Sequence, residues 1–490
     1  YRFRHELLRV VAYELQPPSR RRELHGRVAA ALARDTAAAP AVDWPLVAGH
    51  YDAAGQVADA ITAYQTAADG ARRLGALGDA RALLGRGIEL VPSIPDSAAR
   101  RSYEVALRLR RGFLVASAEG TSSPEAVQDY ERCLELTLGD STSDDMFHTL
   151  IPLWGYYILR GDLERAQQVA EMLRAGVAGR RDHYRPDNEA AFGTIRWFAG
   201  DFGAAHDQLE SAVHGVTTRP VSPDYAATYF MPFDGPASAH AHLAVARFMR
   251  GDVRGADAQF DAGRHRCDAI EFPLGPFTAA EVHSYAAWTL IERGELDRAA
   301  GAVAAVTDVA ERHGFDFWAL VAATEQATIG ALRALDAEPG DTAALAAHAQ
   351  SVEGLCAMWK LVDVALFLPV FTAMAGRLRA ASGDNDAAAA RYDETLQFAQ
   401  STGIRFYEAE VLRLRAQLLP RDEVSPALRA ALDLARAQGT VPLELRIARD
   451  LVASGDADAM SLVAEAVARF EPDAHYPELD EARAMVAAAG

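Results

Sequence analysis

A small turn recurs along this 490-residue chain and narrows its possible folds more than any other feature. A glycine is followed by an acidic or amide residue, and an alanine stands five places after the glycine. Clear copies are Gly55 with Ala60, Gly161 with Ala166, Gly200 with Ala205, Gly251 with Ala256, Gly294 with Ala299 and Gly383 with Ala388. Weaker copies start at Gly78, Gly120, Gly340 and Gly455, and a glycine-free one lies near Arg421-Asp422. From Gly78 onward the glycine spacings are 42, 41, 39, 51, 43, 46 and 43 residues, then 72 to Gly455, a gap that holds two short units if the Arg421 turn counts.

A helical hairpin explains the pattern. The glycine closes a first helix in the left-handed conformation that satisfies its last carbonyls, and the acid after it favours the start of a second helix. The alanine sits where the two helices cross, and only a small side chain lets the axes approach. Seven residues before the glycine a second small residue recurs, at Gly193, Ala244, Ala287 and Gly376. Nine residues after it comes a large one to fill the hairpin, at Tyr64, Leu209, Phe260, Val303 and Tyr392. This order of small, turn, small, large resembles the tetratricopeptide (TPR) register, with a period longer than the usual ~34 residues. Alternating β-branched stretches are nearly absent, while Ala, Leu, Arg and Glu dominate. The expected fold is an all-α solenoid, a superhelix of about ten TPR-like hairpins.

Charge and rare residues bound the function. With 49 Lys+Arg against 68 Asp+Glu the net charge is −19, which opposes nucleic acid or an anionic membrane as the main partner. Cys133, Cys267 and Cys356 are far apart and odd in number, so no disulfide framework or paired-cysteine metal site is expected. Lys360 is the one lysine, and no glycine loop precedes it. A Walker A loop needs a lysine after a glycine to reach phosphates, so no P-loop is expected. The longest uncharged apolar run, Val364–Gly376, is broken by Pro369 and falls short of a membrane span. No signal peptide is legible at the start, and a cytoplasmic location is expected.

Residues 1–34 differ from the rest, carrying eight Arg and three Glu. Two amphipathic pieces flank Pro17-Pro18, the first through Phe3, Leu7, Val10 and Val11, the second through Leu24, Val28 and Leu32. Ser19 is placed to cap the second. Arg20, Arg21 and Arg22 crowd that helix's start, where the dipole disfavours cations, and are candidates for an interdomain contact. The run Tyr1-Arg-Phe-Arg-His5-Glu-Leu-Leu-Arg, with Tyr13 and Arg20-Arg-Arg-Glu-Leu24-His25, resembles the end of the winged-helix region of STAND-type signalling ATPases. Val47-Ala-Gly-His50-Tyr51, Gly314-Phe-Asp-Phe-Trp318, Phe406-Tyr-Glu-Ala-Glu410 and Leu443-Glu-Leu-Arg446 are similar to the TPR-like sensor region of one branch, whose members often carry an adenylate cyclase or LuxR-type helix-turn-helix domain. The resemblance implies a division into residues 1–36, a winged-helix remnant next to an ATPase, and residues 37–490, the solenoid. No catalytic residue of that family can be placed here, which implies either the non-enzymatic sensor segment of a larger ATPase or cyclase parent or a copy that has lost its catalytic parts.

Candidate binding residues cluster in the long Gly200–Gly251 spacing. Residues 219–236 are rich in proline and aromatics and interrupt the helical pattern. Arg219, Tyr225, Tyr229, Phe230, Phe233 and Asp234 suit a peptide or ring-bearing ligand on the concave face of a solenoid. The alternative is that these rings plug a gap between hairpins. Tyr157 and Trp197 are candidates for a groove wall, although Trp154, Trp197, Trp288, Trp318 and Trp359 as a series suit core packing. His240 and His242 point away from each other on a helix, and no third ligand stands near, so no metal site is expected. His283 and His313 fit packing or capping. No catalytic residue and no cofactor is expected in this chain.

The expected function is a non-catalytic sensor or interaction region. It binds a protein, a peptide or a small effector and regulates an attached ATPase, cyclase or transcriptional output. The alternative is a plain protein-protein scaffold or self-association module, with oligomers as its product.

Overall fold

The computed structural model describes residues 6–34, 42–119, 123–137, 145–177, 184–217, 233–337 and 340–489, and among these residues the regular structure is helical throughout. Two compact units are present, one of residues 1–115 with 125–149, the other of 116–124 with 150–490. The first holds α1 (Glu6–Glu14), α2 (Pro18–Arg34), α3 (Trp44–Ala54), α4 (Val57–Arg73), α5 (Leu77–Leu90), most of α6 (Ser97–Glu119) and α7 (Pro124–Thr137), and the first residues of α8 (Asp145–Leu159). The second holds the rest of α8, then α9 (Leu163–Val177), α10 (Arg185–Phe198), α11 (Phe202–Thr217), α12 (Gly235–Met249), α13 (Val253–Asp268), α14 (Leu274–Glu292) and α15 (Leu296–His313). It continues with α16 (Asp316–Ala337), α17 (Thr342–Leu361), α18 (Leu368–Ala381), α19 (Asn385–Thr402), α20 (Glu408–Ala416), α21 (Arg421–Gln438), α22 (Val441–Ser454), α23 (Ala459–Val467) and α24 (Pro477–Ala489). The fold is an all-α array of TPR-like hairpins.

The turn chemistry is local and repeated. Gly55, Gly161, Gly200, Gly251, Gly294, Gly383 and Gly455 all have φ between 72° and 90°, where a side chain would be strained. The acid after the glycine does more than favour the helix dipole. Asp162, Asp201, Asp252 and Asp384 each accept a hydrogen bond from the backbone N–H three residues on, at 2.7–3.2 Å, and so cap the second helix. The alanines five places on are fully buried in all six clear copies. The small residue and the large one meet directly. A Cβ built on Gly193 would stand 2.7 Å from Leu209 Cγ, and one on Gly376 would stand 2.6 Å from Tyr392 Cε1.

Two turn assignments move. The turn placed at Gly78 belongs to Gly75, whose φ is 79°, while Gly78 lies inside α5. Ala80 stands five residues after Gly75 and is buried, so the register holds from the earlier glycine. Gly340 precedes α17 without a left-handed φ, and Asp341 caps that helix. Helix α2 starts at Pro18, so Ser19 sits within its first turn rather than ahead of it. Gly120 lies outside the described residues.

In the second unit, later hairpins return to earlier ones. The amide of Ala365 donates to Leu159 O at 2.7 Å, and those of Arg405 and Phe406 donate to Phe198 O at 2.8 and 3.2 Å. Gln438 Nε2 donates to Arg405 O at 2.7 Å, and the Thr440 hydroxyl reaches Met249 Sδ at 3.4 Å. Arg254 contacts Glu471 and Asp473 from 217 and 219 residues away. The turn of each early hairpin thus receives the segment ahead of a hairpin several repeats later. Repeat arrays in general bring only neighbours together; this unit also stitches one superhelical turn to the next.

A buried ionic cluster completes that stitching. Arg446 on α22 donates to Glu292 Oε2 at 3.1 Å and to Glu292 O at 3.0 Å on α14, and it lies 3.4 Å from Glu410 on α20 and 3.2 Å from Glu478 on α24. Tyr407 donates to Glu292 at 3.0 Å. Arg413 grips Glu410 through two bonds and reaches Asp450 at 2.6 Å. Burial opposes the charge on Glu410, but the guanidinium groups of Arg413 and Arg446 outweigh it and hold the carboxyl at about 2.

Candidate functional site

The middle of the second unit is packed with rings. Trp197 is fully buried, stacked on Phe406 at 4.7 Å and met edge-on by Phe198, Phe202, Tyr285 and Trp288. Phe367, ahead of α18, closes on Trp288 and Tyr285 at 5.8 and 5.5 Å. Segments ahead of later hairpins, through Phe367 and Phe406, therefore cover Trp197 of α10 and Trp288 of α14. Trp197 is removed as a groove-wall candidate for this reason. Trp288, Trp318 and Trp359 are buried as well, which agrees with the packing expectation for the series.

Beside this ring cluster lies a cavity of about 130 Å³, formed by α8, α10, α12 and α14 with single residues from α9, α11 and the segment ahead of α18 and two from the segment ahead of α12. Its apolar wall includes Trp154 and Ile158 from α8, Leu173 from α9, Phe233 ahead of α12, Leu274 from α14 and Leu366 ahead of α18. Its polar side is made by Asp187 and Thr194 of α10, Asp234, Ser238 and His242 at and within the start of α12, and Glu281 and Tyr285 of α14. No lysine or arginine lines it among the described residues.

Helix spacing explains why these groups converge. Ser238 and His242 are four apart on α12, as are Glu281 and Tyr285 on α14, so each pair shares one face. Ser238 joins the two helices, its hydroxyl donating to Glu281 Oε2. Its carbonyl accepts from His242 Nδ1 at 2.8 Å. A carbonyl only accepts, so Nδ1 carries the proton and Nε2 is left with its lone pair. Burial lowers the imidazole to about 4, so the ring is neutral at physiological pH. Burial also pushes the Glu281 carboxyl up to about 8, with the Asp234 charge adding to it and the Ser238 bond opposing it. Asp234 is engaged elsewhere: it caps α12 through Ala237 N at 3.0 Å and pairs with Arg266.

Phe233 and Asp234, proposed from sequence, do line the cavity, with Phe233 edge-on to Phe277 at 5.2 Å. Arg219, Tyr225, Tyr229 and Phe230 lie outside the described residues. Tyr157 is half-buried under the Arg165 guanidinium at 5.5 Å and does not border the cavity. His240 and His242 diverge as expected, His240 meeting Gln259 at 2.6 Å on α13. No group of three or more metal-ligating side chains is found among the described residues. Glu281 and Ser238 escaped the sequence reading. The available signal was a glutamate in the middle of the otherwise uncharged stretch from Leu274 to Ile291 apart from His283.

In the first unit, Arg20 pairs with Glu23 at 2.6 Å and Arg21 with Glu14 at 3.2 Å, while Arg22 is exposed. His25 and His50 join α2 to α3 through their Nδ1 atoms at 2.8 Å. No helix of the described residues is long and apolar enough to cross a membrane.

No family model matches the chain. Among curated proteins, the uncharacterized protein R02095 of Rhizobium meliloti (strain 1021) is 23% identical over 461 residues, covering 91% of this chain and 42% of the relative. The chain thus spans less than half the length of the curated relative it matches. Among solved structures, the chain is similar to the APC/C subunit complex Cut9–Hcn1, at 13% identity over 91% of this chain and 75% of that one, with a TM-score of 0.47. It is also similar to the Rap conjugation gene regulator of plasmid pLS20 in complex with the Phr* peptide, at 13% identity over 70% of this chain and 98% of that one, with a TM-score of 0.42. Yeast Tom70 is a further similar structure, at 12% identity and a TM-score of 0.29, with 96% of both chains covered.

Proposed function

We propose that this chain is a non-catalytic recognition region, and that its second unit seats a small effector or a side chain of a peptide or protein partner in the α8–α10–α12–α14 cavity. The observation that carries this reading is the pairing of an apolar wall with buried polar atoms left open to the cavity. Well-formed apolar pockets with a few convergent polar groups are the usual form of a ligand site. Because four hairpins contribute to the cavity, occupancy bears directly on their spacing, and through it on the contacts between superhelical turns.

The resemblance of residues 1–25 supports a further part of the proposal: in its parent, the region regulates an attached STAND-type ATPase, with a cyclase or DNA-binding output. Arg20, Arg21 and Arg22 are the proposed contact to that domain, and residues 1–36 its winged-helix remnant. A cytoplasmic location fits this role.

The reading is tested with small aromatic probes such as toluene and indole, followed by thermal melting and tryptophan fluorescence. A bound probe raises the melting temperature, and Ile158→Trp, which fills the cavity, removes that gain. Failure of aromatic and amine probes alike to bind the wild-type chain defeats the proposal.

A second reading, a scaffold or self-association module, is favoured by one feature of the first unit. Val10, Val11 and Leu15 of the α1 region and Leu24, Val28 and Leu32 of α2 are all exposed. Sedimentation that shifts with concentration, and stops shifting on Val28→Glu, would support it.

A further inference from the structure

Two atoms decide what the cavity can hold. Glu281 is buried, and its Oε2 takes the Ser238 hydroxyl while Oε1 has no partner. His242 is buried, and its Nδ1 is bound to a backbone carbonyl while Nε2 has no partner. Both residues line the cavity, and Ser238 holds both in place. His242 Nε2 is therefore an acceptor, and Glu281 Oε1 becomes a second one when the carboxyl is ionised. Asp234 is neutralised by Arg266 outside the lining, and no lysine or arginine lines the cavity among the described residues.

Resting on the recognition reading above, we propose that the cavity takes a small apolar molecule carrying a primary ammonium group, about one aromatic ring with a short alkylamine arm. An ammonium has three donors and no acceptor. It supplies Glu281 Oε1 and His242 Nε2, with the Tyr285 or Thr194 hydroxyl oxygen for the third. The ring lies against Trp154, Ile158 and Phe233. The size follows from the volume, because a dry cavity of roughly 150 Å³ accepts benzene. A carboxylate ligand brings an acceptor to the His242 Nε2 lone pair and, once Glu281 is ionised, a second negative charge.

The amine site has a proton linkage of defined sign. In the empty cavity Glu281 holds its proton up to about pH 8, and a bound ammonium ionises it. The other groups facing it leave this window clear. His242 is already neutral, Asp234 is paired with Arg266, and burial keeps the Tyr285 hydroxyl and the Cys267 thiol protonated. Amine affinity therefore rises with pH until Glu281 is ionised without help.

The experiment is calorimetry on the full chain with 2-phenylethylamine, 3-phenylpropionate and ethylbenzene at pH 6 and pH 8.5. The expected result is amine binding roughly tenfold or more tighter than either of the others, strengthening by roughly tenfold or more from pH 6 to 8.5. Glu281→Gln abolishes both the preference for the amine and its pH dependence. The comparison of the three probes on wild-type protein stands even where the variant does not fold. Equal binding of amine and hydrocarbon, or tighter binding of the carboxylate, overturns the amine assignment and leaves the recognition cavity in place. Absence of binding by all three overturns both.

Discussion

Arg446 reaches across 154 residues of sequence to donate to both the side chain and the backbone carbonyl of Glu292. The contact joins α22 to α14 and sits in a cluster with Glu410 and Glu478. Removing one member of a buried charge cluster leaves its partners uncompensated. Arg446→Ala is expected to lower the stability of the second unit by roughly 3–5 kcal/mol, read from urea unfolding. Hydrogen exchange should show α14 and α22 losing protection together. Loss confined to α22 would mean that the turns of the superhelix are not energetically joined.

The pairing of small and large residues predicts a coupled response. Gly376→Ala forces a methyl group against the Tyr392 ring and should cost about 1–3 kcal/mol, the usual range for overpacking. Tyr392→Leu removes the ring edge that the methyl meets. In a double-mutant cycle, the glycine substitution should cost markedly less when Tyr392→Leu is already in place, with a coupling of roughly 1 kcal/mol or more. Additive effects would show that Gly376 is there for another reason.

Stability should fall as pH rises from weakly acidic to weakly basic. Glu325 is buried, takes the Ser284 hydroxyl at 2.6 Å and leaves Oε2 buried without a partner, and burial pushes it up to about 8. Glu281 is raised to the same value. A carboxyl whose folded pKa is raised contributes stability fully present below its unfolded value of 4.5 and lost as pH climbs through 8. Glu325→Gln should flatten the decline of the second unit's unfolding free energy between pH 5 and 8.5 by about 2 kcal/mol, measured by denaturant titration at each pH. An unchanged slope would place the titration elsewhere.

The first unit should respond with the opposite sign. His50 is lowered from its ordinary value by burial and by the neighbouring His25, whose Nδ1 lies 2.8 Å away. Two protonated rings cannot share that contact. A depressed imidazole favours the folded form above the unfolded value of 6.5, and that contribution is lost as pH falls below it. Hydrogen exchange in α2 and α3 should speed up between pH 7 and 5 after correction for intrinsic rates, and His50→Gln should blunt the change. Equal protection across that range would show that the pair does not hold the helices together.

The hairpins were legible because their determinants are local. A left-handed glycine, an aspartate cap and a buried alanine fall within six residues, and they repeat at a steady interval. Gly78 misled because Gly75 stands three residues away and the acid that follows Gly78 imitates the motif. The closure of the second unit was not legible. Leu159 and Ala365, or Phe198 and Arg405, meet through backbone groups, which leave no mark on residue type. The same closure explains why Trp197 looked like a groove residue and proved to be packed beneath Phe406. Phe233 and Asp234 were found because proline and aromatics break the helical pattern around them. Glu281 was not, because what makes it unusual is Ser238, 43 positions earlier in the chain.

The hydrogen bonds from Ala365 to Leu159 and from Arg405 and Phe406 to Phe198 also bear on how such a chain can change length over generations. A free-standing array tolerates duplication or loss of one module, because the ends simply move apart or together. Here, one module more or fewer between Leu159 and Ala365 would put every later segment opposite the wrong acceptor, and the tryptophan at the centre would lose its cover. The contacts of Phe198 with Arg405, Met249 with Thr440 and Arg254 with Asp473 extend the same restriction, so growth by single modules is confined to stretches outside Leu159–Asp473.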